Sequence, residues 1–107
     1  MTPDFRRRWA NALRSGEYKQ TQGSLHNNGA FCCLGVACVV AGAAPDILFD
    51  LDEKFQIDTG ISIHDAGDFV DLNDGAGLTF SQIADEIEND TYRATAAAFR
   101  REAEDDG

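Results

Sequence analysis

The feature that most constrains this chain is the run over residues 30–44, Ala-Phe-Cys-Cys-Leu-Gly-Val-Ala-Cys-Val-Val-Ala-Gly-Ala-Ala, in which no side chain is charged. All three cysteines of the 107-residue chain fall inside it, between the turn signal Asn27-Asn28-Gly29 and Pro45. A stretch with no polar side is buried on every face, so the rest of the fold must form around it. From Cys33 or Leu34 to Val40 it reads as a short helix that ends at Gly42, ahead of Pro45. A buried strand is the competing reading, because Val36, Val39 and Val40 are β-formers.

The flanking segments carry clearer punctuation. Thr2 is placed to cap a first helix, with Pro3 at its first position, Asp4 in its positive first turn and Gly16 as the stop. Phe5, Trp9, Ala12 and Leu13 form one apolar stripe, leaving Arg6, Arg7, Arg8, Asn11 and Arg14 mostly on the remaining surface. The polar stretch 17–25 and the Asn-Gly turn predict a hairpin pairing residues 18–25 with residues 30–33. Over 46–71, Ile47-Leu48-Phe49, Phe55-Gln56-Ile57, Ile61-Ser62-Ile63 and Phe69-Val70 are short apolar pieces between aspartates and glycines, read as brief strands or turns of helix. Thr79-Phe80-Ser81-Gln82 has the capping-box form, and Phe80, Ile83, Ala84, Ile87 and Tyr92 give one apolar face. That helix is expected to continue past a weak point at Asn89 to about Arg101, with 102–107 a frayed tail. The whole predicts a single α+β domain over 1–107, a small antiparallel sheet made of a hairpin plus short strands, packed with N-terminal, central buried and C-terminal helices.

Charge and composition narrow the function classes. Residues 1–45 carry five basic and two acidic side chains, whereas residues 46–90 carry thirteen acidic side chains against Lys54 alone. A net charge of −10 argues against nucleic-acid binding, which needs a basic face to neutralise phosphates. It suits either a basic protein partner or simple solubility. The uncharged run is too short and glycine-interrupted to cross a membrane, and no apolar region follows the N-terminal arginines as in a secretory signal. Three cysteines, two of them adjacent, are an odd count for a disulfide framework and fit reduced thiols in a cytoplasm.

Two constellations carry chemistry. Cys32 and Cys33 sit where a strand runs into a helix, where the dipole stabilises a thiolate. Gln20 or Gln22 upstream and His64 with Asn73 or Asp74 downstream complete the parts of a papain-like cysteine hydrolase; buried thiols acting as small hydrophobes are the plainer reading. The second constellation is Tyr18, Gln20 and Gln22, alternate residues that would line one strand face, near Trp9 and Arg8. With Asn73 and Asp74 these make a candidate ligand-binding set: an aromatic platform, amides and a cation. Metal-ligand spacing is missing among Cys32, Cys33, Cys38, His26 and His64, and Asp71-Leu72-Asn73-Asp74-Gly75 fits an Asx-type turn better than a calcium loop. Neither metal nor cofactor is implied.

Taken together, Trp9, Leu13-Arg14-Ser15-Gly16-Glu17-Tyr18-Lys19-Gln20, Cys32-Cys33-Leu34-Gly35-Val36-Ala37-Cys38, Leu72-Asn73-Asp74 and Phe80-Ser81-Gln82-Ile83-Ala84 resemble the motifs of a family of small tailed-phage and prophage proteins. The resemblance covers most of the chain except the middle, where 46–71 is shorter and more acidic and Gly75-Ala76-Gly77 lengthens the turn. It implies a phage origin and a place in the cytoplasm of an infected bacterium. The leading expectation is a non-catalytic protein that binds a host component to counter antiviral defence, either a defence protein or a nucleotide-derived immune signal. The alternatives are the cysteine hydrolase, using Cys32 or Cys33 with His64, and a structural or regulatory phage homo-oligomer.

Overall fold

The first helix, α1 (Pro3–Arg14), begins as its sequence directs: the Thr2 hydroxyl accepts the Phe5 N–H at 3.3 Å, and Phe5, Trp9, Ala10 and Leu13 are buried. A computed structural model describes residues 1–22, 26–27, 29–42 and 53–105, and the architecture below refers to these. It is α+β and mostly helical.

The sheet departs from the expected hairpin. Its strands are β1 (Lys19–Gln20), β2 (His26–Asn27) and β3 (Ala30–Phe31), in the order β1-β3-β2. Only β2 pairs with β3 antiparallel, His26 opposite Phe31; β1 runs parallel to β3, Lys19 opposite Ala30 and Gln20 opposite Phe31. The sheet is therefore mixed rather than antiparallel. The Asn-Gly turn specifies only the strands it joins, and Gly29 supplies the positive φ of +80° that such a turn needs. Asn28 and residues 23–25 lie outside the described residues. β1 is anchored elsewhere, its Gln20 side chain bonded to residues 73, 78 and 80.

The uncharged run resolves as helix: α2 (Cys33–Ala41) buries every residue from Cys33 to Cys38 and ends at Gly42 in the left-handed conformation. Of the middle pieces, Ile47-Leu48-Phe49 lies outside the described residues. Phe55-Gln56-Ile57 lies in α3 (Glu53–Thr59) and Phe69-Val70 in α4 (Ile63–Val70), Ile61 and Ser62 lead into α4 at Ile63, and α4 runs on into a π-helical turn, Asp71–Gly75. Ser62 caps α4 by accepting the Asp65 N–H at 3.1 Å. Along this segment Asp65, Asp68 and Asp71 recur every third residue, a helical spacing, and each meets an arginine of the C-terminal helix.

Both halves of the capping box form at α5 (Phe80–Asn89): Thr79 N–H donates to Gln82 Oε1 at 2.9 Å, and Gln82 N–H to Thr79 Oγ1 at 3.2 Å. The expected continuous C-terminal helix is two helices. Asp90 adopts a left-handed φ of +56° and closes α5, after which α6 (Tyr92–Asp105) runs past the expected end at Arg101 and through part of the segment expected to fray. Glu86 fastens the corner, accepting the Thr91 and Thr95 hydroxyls at 2.5 and 2.9 Å.

In the core, α1 packs on α5 and α2, while α6 packs on α4 and the π-turn rather than over the sheet. Trp9 is fully buried, edge-on to Phe69 at 4.7 Å between centroids, and Phe69 stacks on Tyr92 at 4.5 Å. Such aromatic pairs contribute about 1 kcal/mol each beyond the area they bury. Among the described residues no helix is long and apolar enough to cross a membrane.

Candidate functional site

The π-turn brings the sequence-nominated residues together. A π-helical turn carries one more residue per turn than an α-helix, which rotates the following side chains; here it carries Asn73 into the core, with no exposed surface. Asn73 Oδ1 accepts the backbone N–H of Cys33 at 3.2 Å and Gln20 Nε2–H at 3.0 Å. Asn73 Nδ2 donates to Thr21 O at 2.9 Å and to Asp74 Oδ1 at 2.7 Å. Both amide donors and both acceptor positions of Asn73 are thus occupied.

Gln20 is committed in the same way. Its Nε2 also donates to Leu78 O at 2.8 Å, and its Oε1 accepts the Phe80 N–H at 3.2 Å. Gln22 Nε2 donates to Asn73 O at 3.1 Å. Cys33 and Phe80 are the first residues of α2 and α5, whose leading N–H groups have no partner within their own helices. Cys32, at the N-cap of α2, makes no capping bond with its side chain, and Asn73 performs that task from the π-turn. The cluster is a set of helix caps supplied from a distance, locking β1, α2, α5 and the π-turn to one another.

Trp9 is part of this lock rather than a platform for a ligand: its indole N–H donates to Cys33 O at 2.9 Å. Arg8 lies apart, exposed on α1, donating to Val40 O at 2.9 Å and standing 3.7 Å from Asp4. Tyr18 is half-buried, edge-on to Phe31 at 5.6 Å. Of the candidate binding set, Gln20, Gln22, Asn73 and Asp74 therefore converge and Trp9 adjoins them through Cys33, but their polar groups face one another. Gln22 and Asp74 are exposed, Gln20 is half-buried and Asn73 is buried.

The thiols are held neutral. Burial pushes Cys32 up, and although the backbone amides of Gly35 and Leu34 oppose that shift, the nearby Asp74 charge adds to it. Burial likewise raises Cys33 well above an ordinary thiol, and Cys38 is pushed up to about 12, again chiefly by burial. Cys33 Sγ–H points to Phe69 O at 3.6 Å and Cys38 Sγ–H to Leu34 O at 2.9 Å, bonds of structural thiols. His64 is exposed at the start of α4, five residues before Phe69 and so ~7.5 Å back along the axis. Among the described residues no hydrogen bond joins it to a cysteine. Gln20, Cys33 and Asn73 meet, but the amide addresses the Cys33 backbone, and among the described residues no base is bonded to the sulfur.

Sequence reasoning missed the ion-pair ladder between α4 and α6. Arg93 Nε–H donates to the buried Asp65 at 3.0 Å, and Arg100 donates to Asp71 at 2.6 Å and to Asp68. The signal was the Asp65, Asp68, Asp71 repeat set against Arg93 and Arg100, seven residues apart and hence on one helix face. It also missed that α4, in burying those carboxylates, leaves Ile63 and Val70 outside.

No curated protein and no solved structure matches the chain. One family does, described as a domain of unknown function, DUF8296, over residues 1–54. The matched region holds α1, the sheet and α2, and with them Trp9, Gln20, Gln22 and all three cysteines, while Asn73 lies beyond it. Since the match spans just over half of the 107 residues, the chain belongs to the DUF8296 family.

Proposed function

We propose that this chain is a non-catalytic phage protein that binds a host component to counter antiviral defence, and that the component is a protein rather than a nucleotide-derived signal. The phage setting rests on the motif resemblance. The observation that carries the rest is the saturation of the polar core: the amides of Gln20 and Asn73, the indole of Trp9 and the Cys33 thiol are bonded to the chain itself. Groups already paired would have to break those bonds to hold a small ligand or perform chemistry. What remains outward is an acidic surface with exposed aliphatic side chains on α3 and α4.

Native mass spectrometry of the purified chain, before and after incubation with an extract of a bacterial host, tests the reading. Retention of a protein-sized species supports it. Retention of a small molecule alone would return the assignment to the nucleotide-derived signal. New cleavage products with nothing retained would favour the cysteine hydrolase.

A further inference from the structure

Helix α4 inverts the usual partition of side chains. It buries Asp65 and Asp68, at 3% and 8% exposure, and exposes Ile63 and Val70, at 65% and 42%. Buried acids and exposed aliphatics are the informative departures from the ordinary rule, and they occur here on opposite faces of one helix. The inward carboxylates are accounted for by Arg93 and Arg100 of α6. Within the chain, nothing described accounts for the outward aliphatics.

Ile63, Gly67 and Val70 are spaced i, i+4 and i+7 and form one row on the outer face, ~10 Å long. A Cβ added at Gly67 would meet no atom within 4 Å, so packing inside the chain does not require glycine there. Glycine weakens a helix interior relative to alanine, and what it provides in return is a notch between two aliphatic side chains where another backbone can approach closely. Ile57, 70% exposed on α3, extends the apolar character of this part of the chain.

Charge selects the occupant. The chain carries a net −10, and residues 46–90 hold thirteen acidic side chains against a single lysine, of which Asp65, Asp68, Asp71, Asp85, Glu88 and Asp90 are paired with arginines. On either side of α4 in the chain, Asp58 and Asp74 are exposed, and among the described residues neither forms an ion pair. A second copy of this chain would set −10 against −10, and a nucleic acid would bring phosphates to the same field. A helix with a stripe of aliphatic anchors flanked by lysine or arginine meets both the row and the acidic net charge.

We propose that the Ile63, Gly67 and Val70 row of α4 is the docking face for a cationic amphipathic helix of a partner protein. This deepens the binding reading above, and rests on it, by naming the surface and the chemistry of what is bound.

The test uses the full chain and a synthetic labelled peptide of leucine and lysine in amphipathic helical order, with a scrambled peptide of the same composition as control, read by fluorescence anisotropy. The amphipathic peptide binds at least about tenfold more tightly than the scramble, and Gly67→Gln, or Ile63→Ser with Val70→Ser, removes that advantage. Gly67→Gln keeps or raises the melting temperature, so its loss of binding is not misfolding. Equal binding of the two peptides, or undiminished binding by the variants, overturns the proposal. So does a dimer in sedimentation that Gly67→Gln dissolves, since the row would then face a second copy. The variants also separate the two readings in host extract. A protein held equally by parent and Gly67→Gln overturns the docking face and leaves the binding reading intact. No protein held by a parent that binds the amphipathic peptide overturns the host-binding reading and leaves the face standing.

Discussion

Asn73 Oδ1 accepts the backbone N–H of Cys33 at 3.2 Å across 40 residues of sequence, capping a helix whose own N-cap side chain makes no such bond. The same oxygen receives Gln20 Nε2–H, so one buried amide couples the start of α2 to β1 and, through Gln20, to the start of α5. Removing it leaves several buried polar groups unmatched at once. Asn73→Ala is expected to cost about 3 kcal/mol, at the upper end of ordinary single substitutions. Urea unfolding with an unchanged m-value measures it; a loss under about 1 kcal/mol would mean that the lock contributes little to stability.

Asn73→Asp is a sharper probe. A carboxylate in that position faces Thr21 O and Asp74 Oδ1, both acceptors, so the new group is expected to titrate above the ordinary carboxylate range. A raised folded pKa means that the native state binds the proton more tightly, so the variant gains stability relative to the parent as pH falls from 7. A parent–variant gap that stays constant between pH 7 and pH 4 would contradict this.

The thiols give a prediction about reactivity. With burial raising all three, the native chain reacts slowly with a thiol reagent at pH 8 and fully only after unfolding. Labelling followed by mass spectrometry counts the sites. Rapid stoichiometric labelling of Cys32 alone at neutral pH would reveal an activated nucleophile and revive the hydrolase.

Asp65 links pH to the seat of α6. Burial raises its pKa, but the hydrogen bond and charge of Arg93, joined by the hydrogen bonds to Ser62, more than reverse that, leaving it below its ordinary 3.8. A lowered folded pKa contributes stability that is present above the unfolded value and lost as pH falls through the folded one. In Arg93→Met the burial is opposed only by the hydrogen bonds to Ser62, so the Asp65 pKa rises relative to the parent. The variant is then less stable than the parent at pH 7, and the gap narrows as pH falls toward 4. Denaturation at several pH values reads this; a gap that widens with acid would refute it.

Gly60 and Gly67 make a matched pair. Gly60 has a φ of +75°, and a Cβ there would lie 2.6 Å from Met1 Cα and 2.9 Å from Thr2 N, where Thr2 N–H donates to Thr59 O at 3.1 Å. Gly60→Ala must displace backbone and should cost about 2 kcal/mol. Gly67→Ala, on a helix with open space around it, should gain about 0.5–1 kcal/mol. Opposite shifts in melting temperature confirm the contrast; shifts of the same sign would deny it.

Much was legible in local sequence because the responsible physics is local. The caps at Thr2 and Thr79 with Gln82, the stop at Gly42 and the buried helix from Cys33 are set by neighbours within four residues, and each stands where the residues placed it. The sequence also nominated Gln20, Gln22, Asn73 and Asp74, in one set with Arg8, Trp9 and Tyr18. It did so as ligand contacts, because residue type reveals that an amide will be bonded but not to what. Tertiary structure decided the partners. β1 runs parallel to β3, and its Gln20 is bonded to residues 53 and 60 positions away, which no turn signal encodes. The orientation of α4 is another such case: Asp65, Asp68 and Asp71 face arginines on α6, and an acidic repeat alone does not say which of its faces is inward. Once α6 claimed the carboxylate face, Ile63 and Val70 were left outside. Local chemistry thus determined where the elements begin and end, and long-range pairing of buried polar groups determined which surface the protein shows.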